Sequence, residues 1–283
     1  MRTVYVSGNY VPENEAKISV FDRGFLFADA VYEVTSVIDG KLIDFAGHMK
    51  RLQRSMSELD MLNNVNEETL LDIHRKLVVK NNLTEGLIYL QVTRGSADRD
   101  FVFTDDTPHG IVLFTQAKKL VENPLAKRGQ SILIVEDLRW GRSDIKSVQL
   151  LYSSLMKTRA KKAGADDVWL QCDDMITEGS SNNAYIVTEN REIITHNLSN
   201  DILHGITRSA VLECAEKLQM KVIERAFSIS ELKNAAEAFS TSASGFVNPV
   251  VKCENVLIGD GCPGPVSKTL REVYIKESLK KAV

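Results

Sequence analysis

Residues 31–45 read VYEVTSVIDGKLIDF. Two apolar-rich runs flank Asp39-Gly40, the dipeptide that supplies the positive φ angles of a type I′ turn, so the stretch predicts a β-hairpin. Directly after it, FAGHMKRLQRSMSELDM (45–61) sets Met49, Leu52, Met56 and Leu59 at helical spacing. EETLLDIHRKLVVKNN (67–82) repeats that pattern until Asn81-Asn82 closes it. LIYLQVTRG (87–95) and GIVLFTQA (110–117) read as strands, with the polar, proline-containing SADRDFVFTDDTPH (96–109) as a loop between them. The first half is therefore expected to be antiparallel sheet plus helices.

Working outward, 120–130 carries charge, a proline and a glycine without strong periodicity, the composition of a linker between compact units. The expected division is a smaller N-terminal α/β domain over 1–119, a linker over 120–130 and a larger mixed-sheet domain over 131–283. In the latter, SILIVEDL (131–138), DDVWLQ (166–171) and NAYIVT (183–188) read as strands, and Glu189-Asn190 as a hairpin leading to EIITH. Helices are expected at about 148–163 and 206–219. Strand-like AFSTSAS (238–244) and VNPVV (247–251) precede a closing helix from Pro265, a residue suited to a first helical turn.

Composition narrows the function classes. The 283 residues hold 35 Lys plus Arg against 38 Asp plus Glu, a formal charge of -3, which argues against a surface built to bind nucleic acid. Hydrophobic residues make up 43%, a globular value, with no internal repeat. Cys172, Cys214, Cys253 and Cys262 form no C-x-x-C pair and read as free thiols. The five histidines form no H-E-x-x-H or Cys/His cluster, so no metal is expected. No signal-like start and no apolar run of about 18 residues is present, so a cytoplasmic protein without membrane association is expected.

Five short stretches could carry chemistry. Lys146 in SDIKSVQLL is a candidate amine, which becomes a nucleophile only where its neutral form is favoured; the alternative is a solvated surface lysine. Some thirty residues on, Glu178 in ITEGSSNN precedes a glycine and two serines that let backbone approach a ligand; the alternative is an ordinary turn. His48 and Arg51 lie three apart on one helix face, where a guanidinium could grip a phosphate; the alternative is a solvated face. Gly205 in LHGITR precedes a helix whose first amides, on Ile206 and Thr207, could cap a phosphate; the alternative is a plain helix start. Finally, Thr241, Ser242 and Ser244 in FSTSAS end a strand with hydroxyls and amides at ligand-binding spacing.

Taken in order, FDRGFLFADAVYEVTSVIDGKL, HMKRL, QVTRG, SDIKS, ITEGSSNN and ILHGITR resemble the aminotransferase class IV family, the pyridoxal-phosphate enzymes of fold type IV. The likeness runs from about residue 3 to the closing helix and is strongest to the branch acting on D-amino acids, through RGFLFADAVYEV, VTRG followed by Arg99, and the DIKS and TEGSSN blocks. It implies an α+β, two-domain architecture, a homodimer and pyridoxal 5'-phosphate as cofactor. It further implies that Lys146 links to the cofactor and shuttles a proton between the substrate α carbon and the cofactor's C4′. Glu178 is implied to hold the ring nitrogen protonated, and Arg51, Ile206, Thr207, Ser242 and Ala243 to bind the phosphate. Ala243 stands where members often supply a hydroxyl.

For substrate, that branch holds the α carboxylate with a tyrosine, an arginine and a histidine. Tyr32 and Arg99 match the first two, but Phe101 stands in the third place and cannot hydrogen-bond a carboxylate. Tyr32 could also be a strand residue packing in the hairpin. The implied reaction is ping-pong transfer of the amino group of a D-amino acid, of the D-alanine or D-glutamate type, to a 2-oxo acid such as 2-oxoglutarate. Rival activities on the same scaffold are a branched-chain L-amino-acid transaminase, an (R)-amine transaminase and an aminodeoxychorismate lyase; a non-catalytic scaffold protein is the rival from another class. The branched-chain relatives carry a tyrosine five residues after the lysine, where Leu151 stands here, with Tyr152 one step off.

Overall fold

The computed structural model describes residues 1–61, 65–104 and 106–283. The chain divides into two compact units: Met1–Leu120 together with Ile145–Gln149 and Leu279–Val283, and Val121–Asp144 together with Leu150–Ser278.

The first unit contains β1 (Thr3–Val6), β2 (Asn9–Pro12), α1 (Arg23–Phe27), β3 (Ala30–Ile38), β4 (Lys41–Leu42), α2 (Phe45–Ser57), α3 (Glu67–Lys80), β5 (Glu85–Thr93) and β6 (Gly110–Ala117). Its antiparallel sheet runs β2-β1-β6-β5-β3-β4. Asp39 and Gly40 turn β3 into β4 with φ of 52° and 72°, the two left-handed residues that a type I′ turn requires. The loop 96–109 joins β5 to β6 as expected, with Asp105 outside the described residues.

Strand alternation sorts the sheet's two faces. Val31, Glu33, Thr35 and Val37 of β3 pair in register with Val92, Leu90, Ile88 and Gly86 of β5, and all four β3 residues are fully buried on the face that meets α2. From the helix, Phe45, Met49, Leu52 and Met56 complete that core. On the opposite face, Tyr32, Tyr89 and Phe114 form a stacked ladder with centroid separations of 5.5 and 4.9 Å.

Segment 145–149 joins this unit because it pairs with the start of β3. Tyr32 N donates to Lys146 O at 3.0 Å and Val148 N to Ala30 O at 3.1 Å. Leu279–Val283 joins it in the same way, through mutual backbone bonds between Leu42 and Val283. A single crossing over 120–130 anticipates neither segment, since nothing local in the sequence marks these pairings.

The second unit holds α4 (Pro124–Arg128), β7 (Gln130–Glu136), α5 (Leu151–Lys162), β8 (Asp167–Cys172), β9 (Met175–Gly179), β10 (Asn183–Val187), β11 (Ile193–Thr195), α6 (Ile206–Lys217), β12 (Val222–Glu224), β13 (Phe227–Ser228), α7 (Ile229–Lys233), β14 (Glu237–Ser242), β15 (Phe246–Cys253), β16 (Val256–Leu257) and α8 (Pro265–Lys281). The mixed sheet runs β12-β11-β10-β14-β15-β7-β8-β9-β13, with β16 beside β15. Of the three parallel pairs among its described residues, β7–β8 and β11–β12 are spanned by α5 and α6, the helical crossovers that parallel neighbours need, and β7–β15 closes the middle of the sheet. A core of Trp169, Ile176, Ile186, Phe227, Leu232 and Val250 packs against the sheet.

Among the described residues, nine short elements lack a counterpart in the sequence reading, namely β1, β2, α1, α4, β9, β12, β13, α7 and β16, and two of these fall in stretches read otherwise. α4 lies inside the stretch read as irregular linker, started by the Asn123 side chain on Leu125 N and by Pro124. β9 occupies residues read only as a loop, because a five-residue strand is too short to show a period.

Candidate active site

In the first unit the structure brings Tyr32, Arg51 and Lys146 to one end of β3. Because Lys146 lies opposite Tyr32 on the neighbouring segment, both side chains share one face, and Lys146 Nζ sits 4.1 Å from the Tyr32 ring centroid. Lys146 is half-buried and, among the described residues, its amine meets no carboxylate. This is not the solvated lysine of the alternative reading. Its backbone N–H donates to Ser55 Oγ on α2 at 3.3 Å, one helical turn beyond Arg51.

The helix face carrying His48 and Arg51 is buried rather than solvated. Glu33, the single acid in the buried face of β3, explains this. Arg51 donates to its two oxygens from Nε at 2.8 Å and from Nη2 at 2.7 Å, and His48 Nδ1 lies 2.7 Å from Oε2. Burial opposes ionisation of Glu33, yet the Arg51 charge and the bonds from Arg51 and His48 hold its carboxyl down at about 2. The guanidinium is thus locked in place from behind.

Tyr32 stacks on Tyr89, which fits the packing reading, and it also lies under the Lys146 amine. Arg99 stands apart from this group. It is exposed on the loop after β5, with its guanidinium 5.3 Å from the Phe27 ring and 5.7 Å from the Phe101 ring. Phe101 itself is 79% exposed. The loop is tied by Arg23, whose Nη1 donates to Asp100 O at 2.6 Å and whose Nε pairs with Asp29 at 2.9 Å.

In the second unit Glu178 sits near the end of β9, 3% exposed. Arg139 Nη1 donates to Oε1 at 2.5 Å, while Asn183 Nδ2 and Leu203 N donate to Oε2 at 2.9 and 3.1 Å. Burial pushes the carboxyl up to about 6, with Arg139 pulling the other way. Asn183 is the hub of this unit's group. Its amide also donates to Leu203 O at 2.9 Å, and its backbone is in register with Thr241, so one residue ties Glu178, the approach to α6 and the end of β14 together. A Cβ on Gly205 would lie 2.1 Å from Asn183 Oδ1, which is why a glycine begins α6.

The ITEGSSNN turn is tight and well anchored. Gly179 N donates to Asn182 O at 2.7 Å, and Ser180 Oγ and Asn182 Nδ2 turn inward onto the buried Asp167 at 2.5 and 2.9 Å. Ser180 therefore spends its hydroxyl on the fold. Thr241 does likewise, its hydroxyl 3.0 Å from that of Tyr185, whereas Ser242 is half-buried and Ala243 follows it in the β14–β15 turn. No side chain caps α6, so its first amides, on Ile206 and Thr207, are left for another acceptor.

The donor set suits pyridoxal phosphate. The uncapped start of α6 favours an anion, and Glu178, a buried carboxylate with three donors on about four acceptor sites, favours one more N–H. Sequence reasoning missed Arg139, Asn183 and Glu33. Asn183 stood inside a quoted motif, but nothing in the linear pattern marks which side chains will meet.

Residues 30–253 match the sequence profile of the family described as Amino-transferase class IV. This chain belongs to that family. It is 38% identical over 277 residues to the D-alanine aminotransferase of Staphylococcus aureus (strain N315), with 98% of each chain covered. It is 35% identical to that of Listeria innocua serovar 6a, covering 98% of this chain and 96% of the other. Among solved structures, the T.th. branched-chain amino acid aminotransferase with pyridoxamine 5'-phosphate superposes with a TM-score of 0.90 at 24% identity, covering 99% of this chain and 95% of that one. The Escherichia coli branched-chain enzyme gives 0.87 at 21% identity over 98% and 94%. These structural likenesses establish the class IV fold.

Proposed function

We propose that the chain is a pyridoxal-phosphate-dependent transaminase that moves the amino group of a D-amino acid, of the D-alanine or D-glutamate type, to a 2-oxo acid such as 2-oxoglutarate in two half-reactions. The observation that carries the reading is the Lys146 amine, half-buried against Tyr32 without a carboxylate partner, in a class IV chain that also fixes a buried Glu178. The relatives named D-alanine aminotransferase, 35–38% identical over nearly the whole chain, support the choice of substrate. When bound, the cofactor supplies the electron sink and carries the amino group.

Lys146 holds and moves the proton at the substrate α carbon. Glu178 accepts the N–H of a protonated ring nitrogen. Arg51, the Ile206 and Thr207 amides, and the Ser242–Ala243 turn bind the phosphate, with Ala243 contributing backbone only. Tyr32 and Arg99 receive the substrate carboxylate, Arg99 through a charge-assisted pair that does not depend on residue 101.

Two further readings concern the whole protein. Ile18, Val20, Phe21, Phe25, Phe101 and Val102 are between 51 and 79% exposed and cluster where Asp22 bridges Ser96, a surface that suits a homodimer. No disulfide joins any of the four cysteines among the described residues, as suits a reducing cytoplasm. No helix among the described residues is long and apolar enough to cross a membrane.

The deciding experiment records the visible spectrum of the purified protein and adds D-alanine, L-alanine, D-glutamate, L-leucine and an (R)-amine separately. Bleaching by D-amino acids alone is expected. Bleaching by L-leucine or by the amine moves the chain to a sister activity, and a colourless protein unchanged by added pyridoxal phosphate overturns the reading.

A further inference from the structure

Glu178 is held by a residue outside every motif that marks the family in this chain. Arg139 lies just past β7, where Asp137 fixes it by a fork: Nε to Oδ1 at 2.9 Å and Nη2 to Oδ2 at 2.7 Å. Thr177 Oγ1 braces that same Asp137 at 2.8 Å, and Asp201 O accepts from Arg139 Nη2 at 3.0 Å. The remaining terminal nitrogen, Nη1, is thereby aimed at Glu178 Oε1 at 2.5 Å. Side-chain exposure is 12% for Arg139 and 4% for Glu178, so water does little to screen the pair.

The donors are unevenly divided. Asn183 and Leu203 fill both acceptor directions of Oε2, and Arg139 fills one of Oε1. The direction left open is therefore on the oxygen that Arg139 grips. We infer that Arg139 is a positioning residue for Glu178: its guanidinium sets the direction of the carboxylate and supplies the positive charge that lets it remain an anion while buried. The inference rests on the reading that Glu178 faces the cofactor's ring nitrogen.

The charged groups facing Glu178 are Arg139 and, behind it, Asp137; its other neighbours are the neutral Asn183 amide and the Leu203 backbone. Without the Arg139 charge, burial drives the Glu178 carboxyl further upward. A protonated Glu178 must then release its proton before it can accept a ring N–H. Cofactor affinity falls on the acid side, and the acid limb climbs when Arg139 is neutralised.

The test measures pyridoxal-phosphate dissociation constants by equilibrium dialysis from about pH 5 to about pH 9 for the full chain and for Arg139→Met, Arg139→Gln and Arg139→Lys. Comparing the proteins at each pH cancels the cofactor's own ionisations. For the Met and Gln variants the acid limb is expected to rise by about one pH unit or more, giving binding about tenfold weaker near pH 5, about twofold weaker near pH 7 and nearly unchanged near pH 9. Lys keeps the charge and loses the fork, so its limb stays in place. Two neutral variants guard against one failing to fold. Uniform weakening at every pH, or an unmoved limb, overturns the inference alone; a wild-type chain that takes up no pyridoxal phosphate overturns the cofactor reading with it.

Discussion

Glu33 shows how one residue can decide the character of an element. A carboxylate in the middle of a strand face lined by Val31, Thr35 and Val37 is tolerable only because α2 lowers a guanidinium and an imidazole onto it. Glu33→Gln leaves Arg51 without its counter-charge and is expected to cost about 3 kcal/mol, read as a fall in thermal midpoint. The sign of the pH dependence follows from the depressed carboxyl. The stabilisation is fully present above the ordinary glutamate value of 4.5 and is lost as pH falls toward about 2, so the wild-type advantage over Glu33→Gln shrinks on acidification. At the same scale, Lys146→Ala is expected to fold, by unchanged circular dichroism, and to lose turnover by about three or more orders of magnitude. Wild-type rates in that variant would remove Lys146 from the chemistry.

Elements were read from sequence where their signals are local. The β3–β4 hairpin, α2, α3, β5 and β6 follow from one turn dipeptide and from 2.0 and 3.6 periodicity, which depend on near neighbours alone. The same locality hid β9 and α4, too short for a period, and the partners of Glu178. Arg139 is 39 residues distant, and its bond to Glu178 exists only after β7, β8 and β9 have paired. Two glycines separate backbone from packing effects. At Gly40 an added Cβ meets nothing closer than 3.9 Å, so Gly40→Ala bears only the left-handed conformation, about 1 kcal/mol and a thermal shift of about 2–4 °C. At Gly205 the backbone is ordinary, but the Cβ displaces Asn183. Gly205→Ala is therefore expected to cost about 1–3 kcal/mol and also to weaken pyridoxal-phosphate binding, by equilibrium dialysis, which Gly40→Ala leaves intact.

At the scale of the whole molecule, Cys172 and Cys262 are exposed while Cys214 and Cys253 are buried, and burial raises the Cys253 thiol to about 11. A chromogenic disulfide reagent should therefore titrate two thiols quickly in the native protein and all four after denaturation. Sedimentation should give twice the chain mass of 31.6 kDa, and Val20→Asp with Phe25→Asp should return it toward one.

The pairing of 145–149 with β3 also constrains the order of assembly. The chain leaves the second unit at Asp144, lends five residues to the first and returns at Leu150. During synthesis, Ala30 and Tyr32 must wait more than a hundred residues for their backbone partners, a long loop to close before the strand's outer edge is satisfied. The Lys146 side chain rides on that late pairing. A ribosome-bound nascent chain ending short of residue 145 therefore carries an open β3 edge, the state most exposed to chaperone capture or mispairing.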